Sequence, residues 1–232
     1  MEILQRASLN KRQTSMPRLL LMLAVTATGL ICLPLRSDQG SSIPARLTYT
    51  RVMKGSFPEY LAISADSNGA ATYESRKLDE PATPRSLQLS SATTQRIFQL
   101  AAALGNFESI DLESHKKVAN LGLKTFIYEC DGRQNRAEFN YTQRHEAQEL
   151  VNLFERIASV QQHIMALEYA IKYDHLSLPR ELLLIQMDLD KRALADPELM
   201  IPALETIARN TRFLHLAQVR AQNILQRLQQ NP

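Results

Sequence analysis

Seven apolar residues in the segment 143–175 recur at alternating spacings of three and four, without a break, over about three heptads. This spacing brings all of them to one side of an α-helix, so the segment predicts a long helix with a continuous apolar face. Such a face has to be buried against the rest of the chain or against another chain. The seven residues are Leu150, Leu153, Ile157, Val160, Ile164, Leu167 and Ile171.

The preceding residues, 43–142, alternate apolar and polar side chains in short runs, which predicts antiparallel strands with one face in water. Asp131-Gly132 lies between two such runs and predicts a tight hairpin. Ser90 or Ser91 is expected to cap a short helix that Gly105 ends. The stretch Leu78–Leu89 contains two prolines and predicts a loop.

These elements predict an α+β fold with an antiparallel sheet of about five strands. The short helix and the long heptad-patterned helix are expected on one face of that sheet, in a domain spanning residues 46–175. We expect the heptad face to cover the sheet, because a sheet with one wet face needs such a cover. Association with a partner protein, or with a second copy of the chain, is the alternative interpretation.

The C-terminal segment, residues 176–232, predicts three short helices. The first begins near Ser177, and the apolar residues expected to be buried in it are Leu182, Leu183, Ile185 and Met187. Asp196-Pro197 marks the start of the second helix, and Pro202 predicts a break or restart within it.

The motif Tyr60-x-Leu-x-Ile-x-x-Asp66-x-x-Gly69-x-x-x-Tyr73, with the following helix and polar hairpin, resembles small exported bacterial domains of unknown function. This resemblance covers residues 43–142 and implies fold and location, but no activity. The chain lacks the paired cysteines that some such domains carry. Residues 202–225 resemble one unit of a HEAT-type helical repeat, although stable arrays need about three units.

The first 35 residues have a basic lead followed by the apolar run Leu19–Leu35, the layout of a signal sequence or a short N-terminal membrane anchor. Residues 36–45 are polar and predict a linker. Positive charge stays on the cytoplasmic side of a membrane, so the remainder is expected to be exported to the periplasm or the extracellular space. Whether the segment is cleaved, or anchors the chain in the cytoplasmic membrane through residues 19–35, is left open.

The basic lead also explains the formal charge of +3, because residues 37–232 contain 22 basic and 23 acidic side chains. We therefore expect no nucleic-acid partner. Cys130 lies on a predicted strand, where it is expected to be a small buried residue. No metal site and no cofactor site are predicted, because no histidine pair has ligand spacing and no glycine-rich phosphate loop occurs.

Two functional classes remain. The first is an exported, non-enzymatic cell-envelope domain with a structural or protein-binding role, which associates with a partner or with itself through its helices. The second is a small periplasmic hydrolase that uses scattered acids and histidines, with Glu108, Asp111 and Glu113 as the densest acidic cluster. No catalytic residue can be assigned from the sequence. Converging titratable groups in a pocket favour the second class, and an exposed apolar helix face favours the first.

Overall fold

The structure is a computed structural model that describes residues 44–230. The predicted α+β architecture is confirmed: six antiparallel strands form one sheet, and five α-helices accompany it. The strands in chain order are β1 (Arg46–Val52), β2 (Tyr60–Asp66), β3 (Ala70–Arg76), β4 (Arg85–Gln88), β5 (Leu123–Cys130) and β6 (Arg133–Phe139). The helices are α1 (Ser91–Ala103), α2 (His145–Tyr173), α3 (Leu178–Asp190), α4 (Ile201–Arg209) and α5 (His215–Gln230).

The strand order is β4-β3-β2-β1-β5-β6, so β4 and β6 are the sheet edges. Strand β4 is a correction, because Leu78–Leu89 was expected to be a loop and the sheet was expected to have about five strands. Pro84 stands directly before β4 and marks the start of the strand. At this position the sheet needs no backbone N–H donor, so a proline is tolerated. Pairing of Tyr73 with Arg85 across β3 and β4 is a long-range contact that local composition does not encode.

One face of the sheet is buried because alternate residues of each strand point to the same side. Tyr49 is paired with Ile63 on β2 and with Phe126 on β5, and all three are fully buried. Phe126 is surrounded by the rings of Tyr49, Phe107, Phe139 and Phe154, with centroid distances of 5.0–6.3 Å. This aromatic cluster fixes α2 on the sheet, because Phe154 belongs to that helix.

Helix α1 also covers the buried face of the sheet. Its N-cap is Ser90, one of the two predicted caps, whose hydroxyl accepts the backbone N–H of Thr93. The buried residues of α1 on the sheet side include Ile97, Leu100 and Ala101. The hairpin between β5 and β6 is likewise as predicted, with Asp131 and Gly132 both at positive φ.

The C-terminal helices form a second apolar cluster with the far half of α2. Helix α3 buries Leu178, Leu182 and Ile185, but Leu183 and Met187 are 41% and 43% exposed. The expected burial of Leu183 and Met187 was wrong, because spacings of three and four allow only one stripe of α3 to face its neighbours. Pro202 lies in the first turn of α4, which restarts there after a short 3₁₀ turn, Pro197–Met200.

Candidate functional site

The heptad residues of α2 are shared between the two apolar clusters of this chain. Leu150, Leu153 and Ile157 pack with the sheet, whereas Val160 and Leu167 pack with α3–α5. The last two members of the heptad, Ile164 and Ile171, are partly buried against the helical cluster. Within the described residues this face of α2 is therefore core, and it leaves little free apolar surface.

A different side of α2 exposes a second apolar stripe, which we call the tyrosine stripe: Met165, Tyr169, Tyr173 and, just beyond the helix, Leu176. Residues four apart lie on the same side of a helix, so the first three members are neighbours. Tyr169, Tyr173 and Leu176 are 62%, 65% and 77% exposed. The two tyrosine rings lie 5.2 Å apart, and the Lys172 ammonium lies 5.0 Å from the centre of the Tyr173 ring.

The tyrosine stripe lies near the point where α2 reaches the edge of the sheet. Glu155 of α2 accepts a hydrogen bond from the Tyr49 hydroxyl on β1 at 2.8 Å. About three and a half helical turns later, both carboxylate oxygens of Glu168 lie 2.8 Å from the Arg85 guanidinium on the edge strand β4. Between Glu155 and Glu168, α2 therefore crosses from β1 to the edge strand β4, and Tyr169 and Tyr173 follow this edge contact in the helix.

A cavity of about 440 Å³ lies beside this edge, between α2 and the start of β4. The buried hydroxyl of Tyr73 makes no hydrogen bond there, although Ser75 and Gln162 lie close enough to influence it. Burial is the main cause that raises the pKa of Tyr73. Its lining residues are Tyr73, Ser75, Thr83, Pro84, Arg85 and Met165.

The acidic cluster that the sequence offers for hydrolysis makes structural contacts instead. Glu113 accepts the backbone N–H of Asn140 at 2.6 Å, and this hydrogen bond is the main cause that lowers the pKa of Glu113. Asp111 pairs with His115 at 2.7 Å on the surface. Glu108, the third member of the cluster, lines a cleft beside the β5–β6 hairpin that neither Asp111 nor Glu113 lines.

Cys130 is partly exposed at the end of β5, so its expected burial was wrong. The reason is its place at the end of β5, directly before the hairpin turn, where it lines an open polar cleft. Its thiol lies 3.6 Å from a carboxylate oxygen of Asp131, in a polar cleft of about 480 Å³ that Glu108 and Tyr128 also line. Nucleophilic cysteines have a cationic partner or a helix N-terminus beside the sulfur, and here the partner is an acid.

The histidines do not converge. His163 on α2 is hydrogen-bonded to Asp188 of α3 at 2.9 Å, and His175 is bonded to the carbonyl of Ile171 at 2.8 Å. Among residues 44–230, no group of three histidine, cysteine or acidic side chains is arranged to hold a metal ion. His163 and His175 instead connect α2 to the C-terminal helices.

The chain matches no protein-family profile and no curated protein sequence. In the part of the chain that the structure describes, no helix is both long enough and apolar enough to cross a membrane. The apolar run Leu19–Leu35 and the linker 36–45, apart from its last two residues, lie outside the described residues.

The tyrosine stripe was not predicted, because the heptad pattern dominates the sequence of α2. The signal was nevertheless present: Tyr169 and Tyr173 stand four residues apart, at positions that the heptad face does not use. Exposed aromatic side chains that lie next to one another on a helix form a candidate contact surface.

Proposed function

We propose that this chain is an exported, non-enzymatic cell-envelope domain that binds a protein partner through the tyrosine stripe of α2. The observation that carries the proposal is the exposure of Tyr169 and Tyr173, which lie side by side in the last turns of α2. Tyrosine and methionine are enriched at protein interfaces, where a large side chain buries much apolar area with few rotatable bonds.

The proposal also explains the construction of α2. Burial of its heptad face in two clusters holds the helix rigid, and Glu168 fixes it to Arg85 on the edge strand β4. A rigid helix presents its exposed residues without a large loss of conformational entropy on binding. The basic lead and the apolar run Leu19–Leu35 support delivery of this surface to the extracytoplasmic side.

The binding step is tested with affinity-tagged full-length chains isolated from crosslinked membranes. Tyr169→Ser combined with Tyr173→Ser removes exposed apolar surface only, so the variant is expected to fold. The matched control is Leu216→Ser, which removes a residue of α5 that is 52% exposed. We expect one partner, or a second copy of the chain, to be captured by the parent and the control and lost from the tyrosine variant. Equal capture by all three chains contradicts the proposal.

Export is tested separately with a reporter fused after residue 45. The reporter is expected on the outer side of the cytoplasmic membrane, because the basic lead stays inside. N-terminal sequencing of the exported product distinguishes a cleaved signal from a retained anchor. A reporter that is soluble in the cytoplasm contradicts the export part of the proposal and leaves partner binding to be judged by capture.

A further inference from the structure

The loop between β1 and β2 presents the most exposed large apolar side chain of the described residues. Phe57 is 91% exposed, whereas the neighbouring Pro58 is buried. The loop is held by its own hydrogen bonds: the Ser56 hydroxyl lies 2.7 Å from the carbonyl of Met53, and the Gly55 N–H donates to Glu59 at 2.8 Å. Phe57 is thus held out into solvent by a structured loop.

A second loop contacts the first and adds to the same surface. Gly122 stands so close to Met53 that an added Cβ would lie 3.1 Å from the Met53 Cβ. The second loop and the start of β5 expose Val118, Leu121 and Leu123 at 40–47%. We call Phe57, Val118, Leu121 and Leu123 the apolar tip.

The apolar tip is flanked by three exposed lysines: Lys54 in the first loop, and Lys116 and Lys117 in the second. The acid of the first loop, Glu59, accepts the backbone N–H groups of Gly55 and Leu78, and these bonds lower its pKa. The Glu59 carboxylate is therefore held by these backbone groups and keeps its negative charge. Asp79 and Glu80 follow β3 at the same end of the sheet. Their negative charges repel an anionic surface on that side.

We propose that the apolar tip inserts into the interfacial region of a lipid bilayer with anionic headgroups, and that Lys54, Lys116 and Lys117 contact those headgroups. Apolar and aromatic side chains bury in the headgroup–acyl boundary, while lysines remain at its charged surface. This charge complementarity favours an anionic lipid surface over a neutral one. The proposal rests on the membrane proximity that the proposed function includes.

The length of the linker is consistent with this placement. Strand β1 has seven residues, so the apolar tip lies about 24 Å from Arg46 along the strand. The ten linker residues 36–45 reach at most about 35 Å when fully extended. The extended length of the linker therefore exceeds the distance from Arg46 to the apolar tip. One short apolar segment and one polybasic apolar contact together bind a membrane more firmly than either does alone.

The absence of tryptophan from the whole sequence makes the proposal directly testable. Phe57→Trp in the full chain places the only tryptophan at the apolar tip, and Leu176→Trp places the matched control on the tyrosine stripe. Each protein is mixed with vesicles of phosphatidylglycerol and phosphatidylcholine, or of phosphatidylcholine alone, in which some lipids carry bromine near the headgroup. Bromine quenches only a fluorophore that enters the lipid.

We expect strong quenching for Phe57→Trp with the anionic vesicles, and little for Leu176→Trp. Replacement of Lys54, Lys116 or Lys117 by Gln in the Phe57→Trp chain is expected to weaken the tip contact about fivefold per lysine. Equal quenching at the two positions, or none at position 57, overturns the proposal. Flotation of the chain with the vesicles reports anchoring separately, so a chain that floats without quenching at position 57 refutes only the tip contact.

Discussion

Replacement of Ile157 tests whether α2 is the element that holds the sheet. Ile157 is fully buried in the cluster between α2 and the sheet, and Ile157→Ala removes three buried carbon atoms. At about 0.8 kcal/mol for each carbon, the lost transfer free energy is about 2.4 kcal/mol. The unfilled cavity raises the expected loss in the free energy of unfolding to about 3–4 kcal/mol.

The matched control is Ile164→Ala, one heptad further along α2. Ile164 is only partly buried against the C-terminal helices, so the same truncation should lower the free energy of unfolding by about 1–1.5 kcal/mol. Both positions have the same residue in the same helix, so helix propensity cancels in the comparison. The difference between the two variants therefore isolates burial against the sheet.

The assay is urea unfolding of the full chain followed by far-ultraviolet circular dichroism, in a non-denaturing detergent because of the apolar N-terminal run. With a slope of about 2 kcal/mol per molar urea, Ile157→Ala should lower the midpoint by about 1.5 M or more, and Ile164→Ala by well under 1 M. If Ile157→Ala lowers the midpoint no more than Ile164→Ala does, the sheet does not depend on α2 in the way described above.

Three further outcomes are expected. Asp196→Ala removes the acceptor for the Ser90 N–H, the Ser90 hydroxyl and the Thr93 hydroxyl. It should lower the free energy of unfolding by about 1–2 kcal/mol, and Asp196→Asn should lower it by less. Equal stability of the parent and Asp196→Ala in urea contradicts this expectation. Burial raises the pKa of Tyr49, so its hydroxyl stays protonated in the native state above about pH 10, where a tyrosine in the unfolded chain ionises. The free energy of unfolding should therefore fall above that pH, and the fall should be shallower in Tyr49→Phe. An equally steep fall in Tyr49→Phe would exclude Tyr49 as a source. A chain ending at residue 143 lacks α2 and leaves the apolar sheet face uncovered, so it should be insoluble or molten; a soluble chain with cooperative thermal unfolding would contradict that expectation.

The elements with strong local signals could be predicted from the sequence. The heptad pattern predicts α2, Asp131-Gly132 predicts the β5–β6 hairpin, and Ser90 predicts the start of α1. Each signal depends on neighbouring residues alone: apolar spacing, positive φ in a two-residue turn, and a side chain that caps a helix.

The elements that depend on distant contacts could not be predicted in the same way. Strand β4 forms because Arg85 and its neighbours pair with β3, and a four-residue run after Pro84 has no period of its own. The exposure of Tyr169 depends on which side of α2 packs against the rest of the chain, which is a tertiary property. The partial exposure of Cys130 likewise depends on which parts of the sheet the helices cover. The alternation of residues along a strand does not reveal this coverage.

The most direct test of the proposed function is site-specific photo-crosslinking in living cells, with a photoreactive amino acid at position 169 or, as control, at position 216. Both side chains are more than half exposed in the structure, so either can reach a neighbouring protein. We expect position 169 to give a discrete adduct in the extracytoplasmic membrane fraction, and position 216 to give none. An adduct at position 216 alone, or no adduct at position 169, would contradict the assignment of the tyrosine stripe as the partner-binding surface.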